Sequence, residues 1–322
     1  MPTGQSIQSF LRLPGTILDV RSPSEFAHGH IPQSHSFPLF SDEERSIVGT
    51  LYKQEGRHAA VDQGLQLVLP KVDSFIETAT RFLPEKVGKV LCWRGGMRSG
   101  FVARLLESCG FSILTLNGGY KSFRRYVLNY FLKLPELKLN LKVVAGLTGS
   151  GKTSYLRTLK NSGHQVIDLE QLANHRGSAF GHIGLPPQPS QEHFENCLAT
   201  QLDQFDLSKA IWIEDESRLI GRCCIPPPLY QLMRSASVIV LETPLEGRLD
   251  NLMKDYGGAP LLDMISAVQR IQKRLGSQLT IEVIRLLEQD RRREAFNLLL
   301  MYYDKTYQHN FQQRNSCQRS AL

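Results

Sequence analysis

Two short stretches of this 322-residue chain carry residue types whose spacing can do chemistry. The first is Cys92-Trp93-Arg94-Gly95-Gly96-Met97-Arg98-Ser99, between an extended apolar run, Lys89-Val90-Leu91, and a helix-like run, Gly100 to Leu106. The adjacent glycines let the loop curl tightly and turn backbone N–H groups inward. The helix start contributes its positive end, and Arg94 and Arg98 add full charges. These influences favour the nucleophilic thiolate form of Cys92. The plain alternative is a small buried cysteine at a strand end; a double glycine between two arginines is an unusual setting for one.

The second stretch is Gly146-Leu147-Thr148-Gly149-Ser150-Gly151-Lys152-Thr153, which satisfies G-x-x-x-x-G-K-[ST]. Gly146, Gly149, Ser150 and Gly151 form a loop whose N–H groups can wrap a phosphate, Lys152 supplies a positive charge, and Thr153 can bind magnesium. The apolar run Leu141 to Ala145 before it and the helix-like run Ser154 to Leu159 after it provide the strand–loop–helix setting that this pattern needs. Phosphate binding follows from such a loop; nucleotide hydrolysis is a separate matter.

Two further apolar runs end in acids, where ligands of open α/β sheets bind. They are Gln165 to Glu170, with Asp168, and Ala210 to Arg218, with Glu214 and Asp215. By position, Glu214 or Asp215 suits a metal-proximal role, and Thr153 with Asp215 forms the expected magnesium pair; ordinary solvated acids are the alternative. Asn174 to Gly181, rich in polar donors and glycine, reads as a binding loop.

The elements that must position these residues alternate along the chain. Strands are expected at 16–20, 89–91, 112–116, 141–145, 165–170, 210–218 and 237–242. Ser22 or Ser24 with Pro23, and Ser41 with Glu44, are helix starts. Gly49 to Arg57 either reaches the cysteine loop or forms a solvated helix–turn–helix. Alternating strands and helices predict doubly wound α/β sheets, and Pro135 in a linker divides residues 1–134 from 135–322. The remainder is helical, with apolar spacing of three and four at 261–271 and 281–287. Lys273, Arg274 and Arg291 to Arg293, with Tyr302, Tyr303, Tyr307 and Phe311, suit a nucleic-acid surface or a helical bundle with a solvated basic face.

The net charge of +7 favours an anionic partner. Six cysteines without a CxxC pair argue against a zinc ribbon and fit a reducing cytoplasm. No apolar run approaches the ~18 residues needed to span a bilayer, and the first residues lack a secretory pattern.

Asp19-Val20-Arg21, Glu25 and Gly29-His30-Ile31-Pro32, together with Cys92 to Arg98, resemble the signatures of rhodanese-like domains over residues 5–130. The likeness departs at Gln33 to Pro38. Asp19 and Arg21 are read as a loop-organising pair. With the phosphate loop, Asp168 to Glu170, Asn174 to Gly181 and Trp212 to Arg218, nearly the whole chain resembles the tRNA 2-selenouridine synthase family. The resemblance implies a rhodanese-like doubly wound sheet followed by a P-loop NTPase-like α/β domain with a helical C-terminal region. It implies a transferase acting on the wobble 2-thiouridine of tRNA, with geranyl diphosphate and selenophosphate as co-substrates, S-geranyl-2-thiouridine as intermediate and no tightly bound cofactor. Cys92 would act in selenium transfer, and Arg94, Gly95, Gly96, Met97 and Arg98 would bind the selenium donor. The phosphate loop would hold the donor diphosphate. Two alternatives stand beside this reading: a nucleotide-binding regulatory protein with an idle rhodanese module, and an ATP-dependent tRNA thiolase.

Overall fold

The structure, a computed structural model, describes residues 3–312 and 319–321, with side chains from residue 4 to residue 305. Cys317 and the side chains of Tyr307 and Phe311 lie outside the described residues. The chain divides into two units, Met1–Tyr130 and Phe131–Leu322. Helix Gly119–Lys133 runs across the division and gives way to a 3-10 turn, Leu134–Leu137, that carries Pro135.

The first unit is built on five parallel strands: β1 (Thr3–Gln5), β2 (Thr16–Asp19), β3 (His35–Ser36), β4 (Val87–Leu91) and β5 (Ser112–Leu116). Their order is β1-β5-β4-β2-β3. A central parallel strand is covered on both faces and so reads as apolar; Val90 and Leu91 of β4 are fully buried. Lys89 breaks that pattern and is still only 4 % exposed. Its ammonium donates to the carbonyls of Phe10 and Leu13 at 3.0 and 2.7 Å, at the end of helix Ile7–Arg12, where unpaired carbonyls attract a cation. The helix starts follow the expected chemistry. Ser22 opens helix Pro23–His28 with Pro23 in its first turn. The Ser41 hydroxyl accepts from the Glu44 N–H, and the Glu44 carboxylate accepts from the Ser41 N–H, opening Asp42–Gln54. Gly49 to Arg57 forms the end of that helix and the start of the next, Arg57–Val68.

The second unit holds β6 (Leu141–Ala145), β7 (Gln165–Ile167), β8 (Ile211–Glu214), β11 (Ser237–Val240) and β12 (Arg319–Ala321) in the parallel order β12-β11-β6-β8-β7. A separate hairpin pairs β9 (Leu219–Ile220) with β10 (Cys223–Cys224). Several expectations change, and the strands expected over 210–218 and 237–242 already end at Glu214 and Val240. The strand expected over 165–170 stops at Ile167, because the Asp168 carboxylate accepts from the Gln171 N–H at 2.8 Å and caps a short helix, Leu169–Ala173. The sheet is also completed by β12, from a polar tail with no strand pattern. Helices Leu245–Tyr256, Leu261–Arg270, Ser277–Glu288 and Arg292–Gln312 pack around a core that includes Met264, Val268, Val283, Leu287 and Phe296. Among the described residues no helix is long and apolar enough to cross a membrane.

Candidate functional site

The cysteine loop leaves the C-terminal end of β4 and enters helix Met97–Ser108. Cys92 is only 3 % exposed. Its sulfur accepts from the Gly96 N–H at 3.3 Å and lies 3.1 Å from the Ser99 hydroxyl, which also reaches the Gly96 carbonyl at 3.2 Å. The first turn of helix Gly119–Lys133 braces the loop: the N–H groups of Tyr120 and Lys121 donate to the carbonyls of Cys92 and Trp93. Gly95 sits at φ +65°, and a Cβ there would collide with the Leu116 carbonyl oxygen, so only glycine fits.

The charges around this loop divide sharply. Arg98 is committed inward, its guanidinium 2.7 Å from the Glu25 carboxylate. Burial works to raise the Glu25 pKa, but the Arg98 charge and hydrogen bond together with Ser22 and Arg45 hold it below the ordinary value. Arg21 is buried, donates to both Asp19 oxygens and to the Gly29 carbonyl, and stacks over the Tyr120 ring at 3.7 Å; the Asp19–Arg21 pair joins β2 to the turn at Gly29. Arg94 and Met97 are exposed, and Arg94 makes no ion pair or side-chain hydrogen bond among the described residues.

The phosphate loop follows β6, the central strand of its sheet. Its carbonyls are held from outside by residues of β11's exit and the helix after it. Arg248 donates to the Thr148 carbonyl at 2.9 Å while pairing bidentately with Asp304; Asn251 donates to the Gly149 carbonyl at 2.8 Å and Thr243 to that of Ser150 at 2.9 Å. Gly149, at φ +79°, would bring a Cβ to 2.8 Å from the Arg248 carbonyl oxygen. The Ser150 N–H closes the loop on the Leu147 carbonyl at 3.0 Å, and the unpaired first turn of helix Lys152–Asn161 is left for an anion. Lys152 donates to the Gly146 carbonyl at 3.0 Å, folded back over the loop.

Beside the loop lies a knot of carboxylates. Oxygens of Glu170, Glu214 and Glu216 lie within 4.8 Å of one another. Thr153 donates to Glu170 at 3.1 Å, and one Glu214 oxygen accepts the Glu170 N–H at 2.7 Å. The other Glu214 oxygen is buried without a partner among the described residues. Burial first, and then the neighbouring carboxylates, push Glu214 well above the usual range and Glu216 up to about 8. Burial likewise raises Glu170 and Asp168. Of the expected acids, Glu214 is in this knot, while Asp168 and Asp215 line the adjoining pocket. Sequence reasoning singled out neither Glu170 nor Glu216. Two-residue alternation was the available signal: in an extended exit from β8, residues 214 and 216 face one way and 215 the other.

That pocket, of about 1460 Å³, is bounded by Gly149 to Ser154, Asp168, Glu170 and Asn174 to Ala179. His175 is 8 % exposed, its Nδ1 has no partner among the described residues, and burial, then His182 and Arg270, lower its pKa. Tyr256, also in the wall, is pushed by burial to about 12 and stays a neutral phenol. The expected basic cluster is spent elsewhere: Arg291 pairs with Glu294, Arg292 with Asp290, and Arg293 with Glu246 and Asp250.

Comparison with known proteins agrees with this layout. Residues 5–126 match a family model described as rhodanese-like domain, and residues 139–320 match one described as tRNA 2-selenouridine synthase AAA domain. A tRNA 2-selenouridine synthase from Hydrogenovibrio crunogenus is 36% identical over 92% of this chain and 90% of the relative. The Nitrosomonas europaea enzyme of that name is 37% identical over 86% of this chain and 72% of its own, and that of Shewanella piezotolerans 40% over 74% and 65%. With this match along both units, the chain belongs to the tRNA 2-selenouridine synthase family.

Proposed function

We propose that the chain converts the wobble 2-thiouridine of tRNA to 2-selenouridine by way of S-geranyl-2-thiouridine, with geranyl diphosphate and selenophosphate as donors. The observation that carries this reading is the presence in one chain of two differently built anion loops: one closes on a single sulfur, the other opens on a large pocket. A thiocarbonyl sulfur leaves poorly, and alkylation makes it a leaving group. In the first step a sulfur–carbon bond forms as the carbon–oxygen bond to diphosphate breaks. Diphosphate departs with the electron pair, and the base gives up its N3 proton. Lys152, turning from the Gly146 carbonyl to the donor, stabilises that developing charge together with the loop N–H groups. In the second step the selenium–phosphorus bond of the donor is broken by water to give phosphate, a carbon 2–selenium bond forms as the carbon 2–sulfur bond breaks, the geranylthiolate leaves with the electron pair and takes up a proton, and N3 regains its own. Cys92 acts there, with the Gly96 N–H at its sulfur and Arg94 free to meet the anionic donor.

Magnesium fits the carboxylate knot, because a buried oxygen of Glu214 has no donor and three neighbouring acids have too little positive charge among them. Glu170, Glu214 and Glu216 would hold it, with Thr153 and Asp215 at its edge. A bound divalent ion supplies charge to neutralise a diphosphate. A cytoplasmic site of action follows from the tRNA substrate.

The test is mass spectrometry of nucleosides from 2-thiouridine-containing tRNA incubated with the protein and both donors. Selenouridine with both donors, and the geranylated base with geranyl diphosphate alone, are expected. An unchanged thiouridine in both reactions overturns the reading.

A further inference from the structure

Two groups of basic side chains in the second unit contrast. Arg291, Arg292, Arg293 and Arg248 are each ion-paired. Of those lining the phosphate-loop pocket, Arg157, Lys160, Arg234, Lys254, Arg270 and Arg274 form no ion pair among the described residues, and of these Arg270 reaches the Ala179 carbonyl and the His182 ring. They come from five separate helical segments and converge only in the fold. Lys160 and Arg274 are exposed. The acids that feel them include Asp168, felt by Arg157 and Lys160, and Asp255, felt by Arg157 and Lys254, neither of them in ion-pair contact.

Unpaired cations held close together repel one another, so the arrangement is stabilised by an anion that spans them. The pocket's 1460 Å³ exceeds the about 300–1,000 Å³ of ordinary small-molecule sites, and a diphosphate at the loop leaves most of it open. Tyr230 and Tyr302 stand in the wall, and an aromatic face beside spaced cations is the chemistry that holds unpaired nucleotides.

We propose that this rim is the RNA-docking surface, its cations gripping consecutive phosphodiesters of a single-stranded segment while one base enters the pocket beside the bound donor. The proposal rests on the tRNA reading above. Its test measures the affinity of the full-length protein for a 2-thiouridine-containing tRNA across a salt series. Three proteins are compared: the natural protein, Lys160→Glu/Arg274→Glu, and the control Arg285→Glu/Arg291→Glu, which changes net charge equally. Binding of inorganic diphosphate is measured on each. Expected is a loss of tRNA affinity of at least about tenfold in the rim variant only. Its log–log salt slope should be shallower by about 0.7 for each phosphate that it no longer neutralises, and its diphosphate binding unchanged. Equal weakening in the control makes the effect one of overall charge and overturns the rim, as does a parallel loss of diphosphate binding, which assigns these cations to the donor. Full affinity in the rim variant overturns the rim alone. No tRNA binding by the natural protein overturns the tRNA reading and the rim with it.

Discussion

The two loops meet negative charge in opposite ways. Around Cys92 the cations are mostly consumed by the fold: Arg21 is locked to Asp19 and Arg98 to Glu25, which leaves Arg94 exposed and one backbone N–H on the sulfur. Around Lys152 the fold consumes the loop's carbonyls instead, through Arg248, Asn251 and Thr243, and leaves cations facing an open pocket. A loop that binds through one atom needs a rigid frame and little spare charge. A loop that binds a polyanion needs spare charge, and carries the electrostatic cost of keeping it while empty. The same strand–loop–helix plan thus yields a directional site in one unit and a field in the other.

Substitution at the reacting atoms should separate the two stations most strongly. Cys92→Ala removes the only sulfur nucleophile in its loop and should abolish selenium incorporation while geranylation of tRNA stays measurable by nucleoside mass spectrometry; full-rate selenouridine from this variant would leave Cys92 without a role. Lys152→Ala should do the converse and slow geranyl transfer by about 10²-fold, the scale on which a single aimed donor stabilises a developing anion. An unchanged prenyl-transfer rate would mean that the loop serves another ligand.

Next in size is the frame of the cysteine loop. Asp19 and Arg21 are both essentially buried, and Asp19→Ala strands a buried guanidinium. Such breaks cost about 3–5 kcal/mol, which a denaturant titration of the variant would read as a lower midpoint.

Much of this was legible in the residues. Parallel sheets buried on both faces, strand ends at Leu91 and Ala145, and both loops follow from apolar runs bounded by glycine and charge. What was not legible depended on the partners of charged groups. Arg94 and Arg98 look equivalent in the sequence, yet only Arg98 has Glu25, 73 residues away, to hold it. Arg291 to Arg293 form the obvious basic cluster and are neutralised by their neighbours Glu294 and Asp290 and, from another helix, by Glu246 and Asp250, whereas the pocket's unpaired cations, Arg274 apart, are single residues that the sequence does not group. Asp168 resembles the end of a strand because a helix cap and a strand terminus are both satisfied by an aspartate after an apolar run. β12 is three residues of polar tail, and only its register against β11 makes it a strand.

The carboxylate knot predicts an unusual pH response on the phosphate-loop side. Glu216 has an ordinary value of 4.5 and is raised to about 8 in the folded chain, by burial and then by Glu170. Between those values the native state keeps a proton that the unfolded chain has released. The contribution to stability is therefore complete below about 4.5 and declines as pH rises towards 8. Melting temperatures in chelator should fall over this window more steeply for the natural protein than for Glu216→Gln, and added magnesium should restore the loss at the upper end. Parallel curves for the two proteins would show that the knot carries no such strain.

The smallest effect tests the cysteine side alone. Arg94 is free and Arg98 is not, so the two alanine variants should fail differently. Arg94→Ala should raise the selenophosphate KM by about tenfold, the value of one modest charge-assisted contact, and leave stability unchanged. Arg98→Ala should lower stability by roughly 1–2 kcal/mol, because Glu25 loses its main partner. The sign of the pH dependence distinguishes them further. Glu25 lies below its ordinary value in the folded chain, so its pairing stabilises above that value and the stabilisation is lost as pH falls through the lowered one. The deficit of Arg98→Ala should therefore be present at neutral pH and shrink on acidification, while Arg94→Ala tracks the natural protein throughout. If Arg98→Ala instead keeps full stability and raises the donor KM, its guanidinium leaves Glu25 to bind substrate, and the inward commitment of charge around Cys92 is a property of the empty loop.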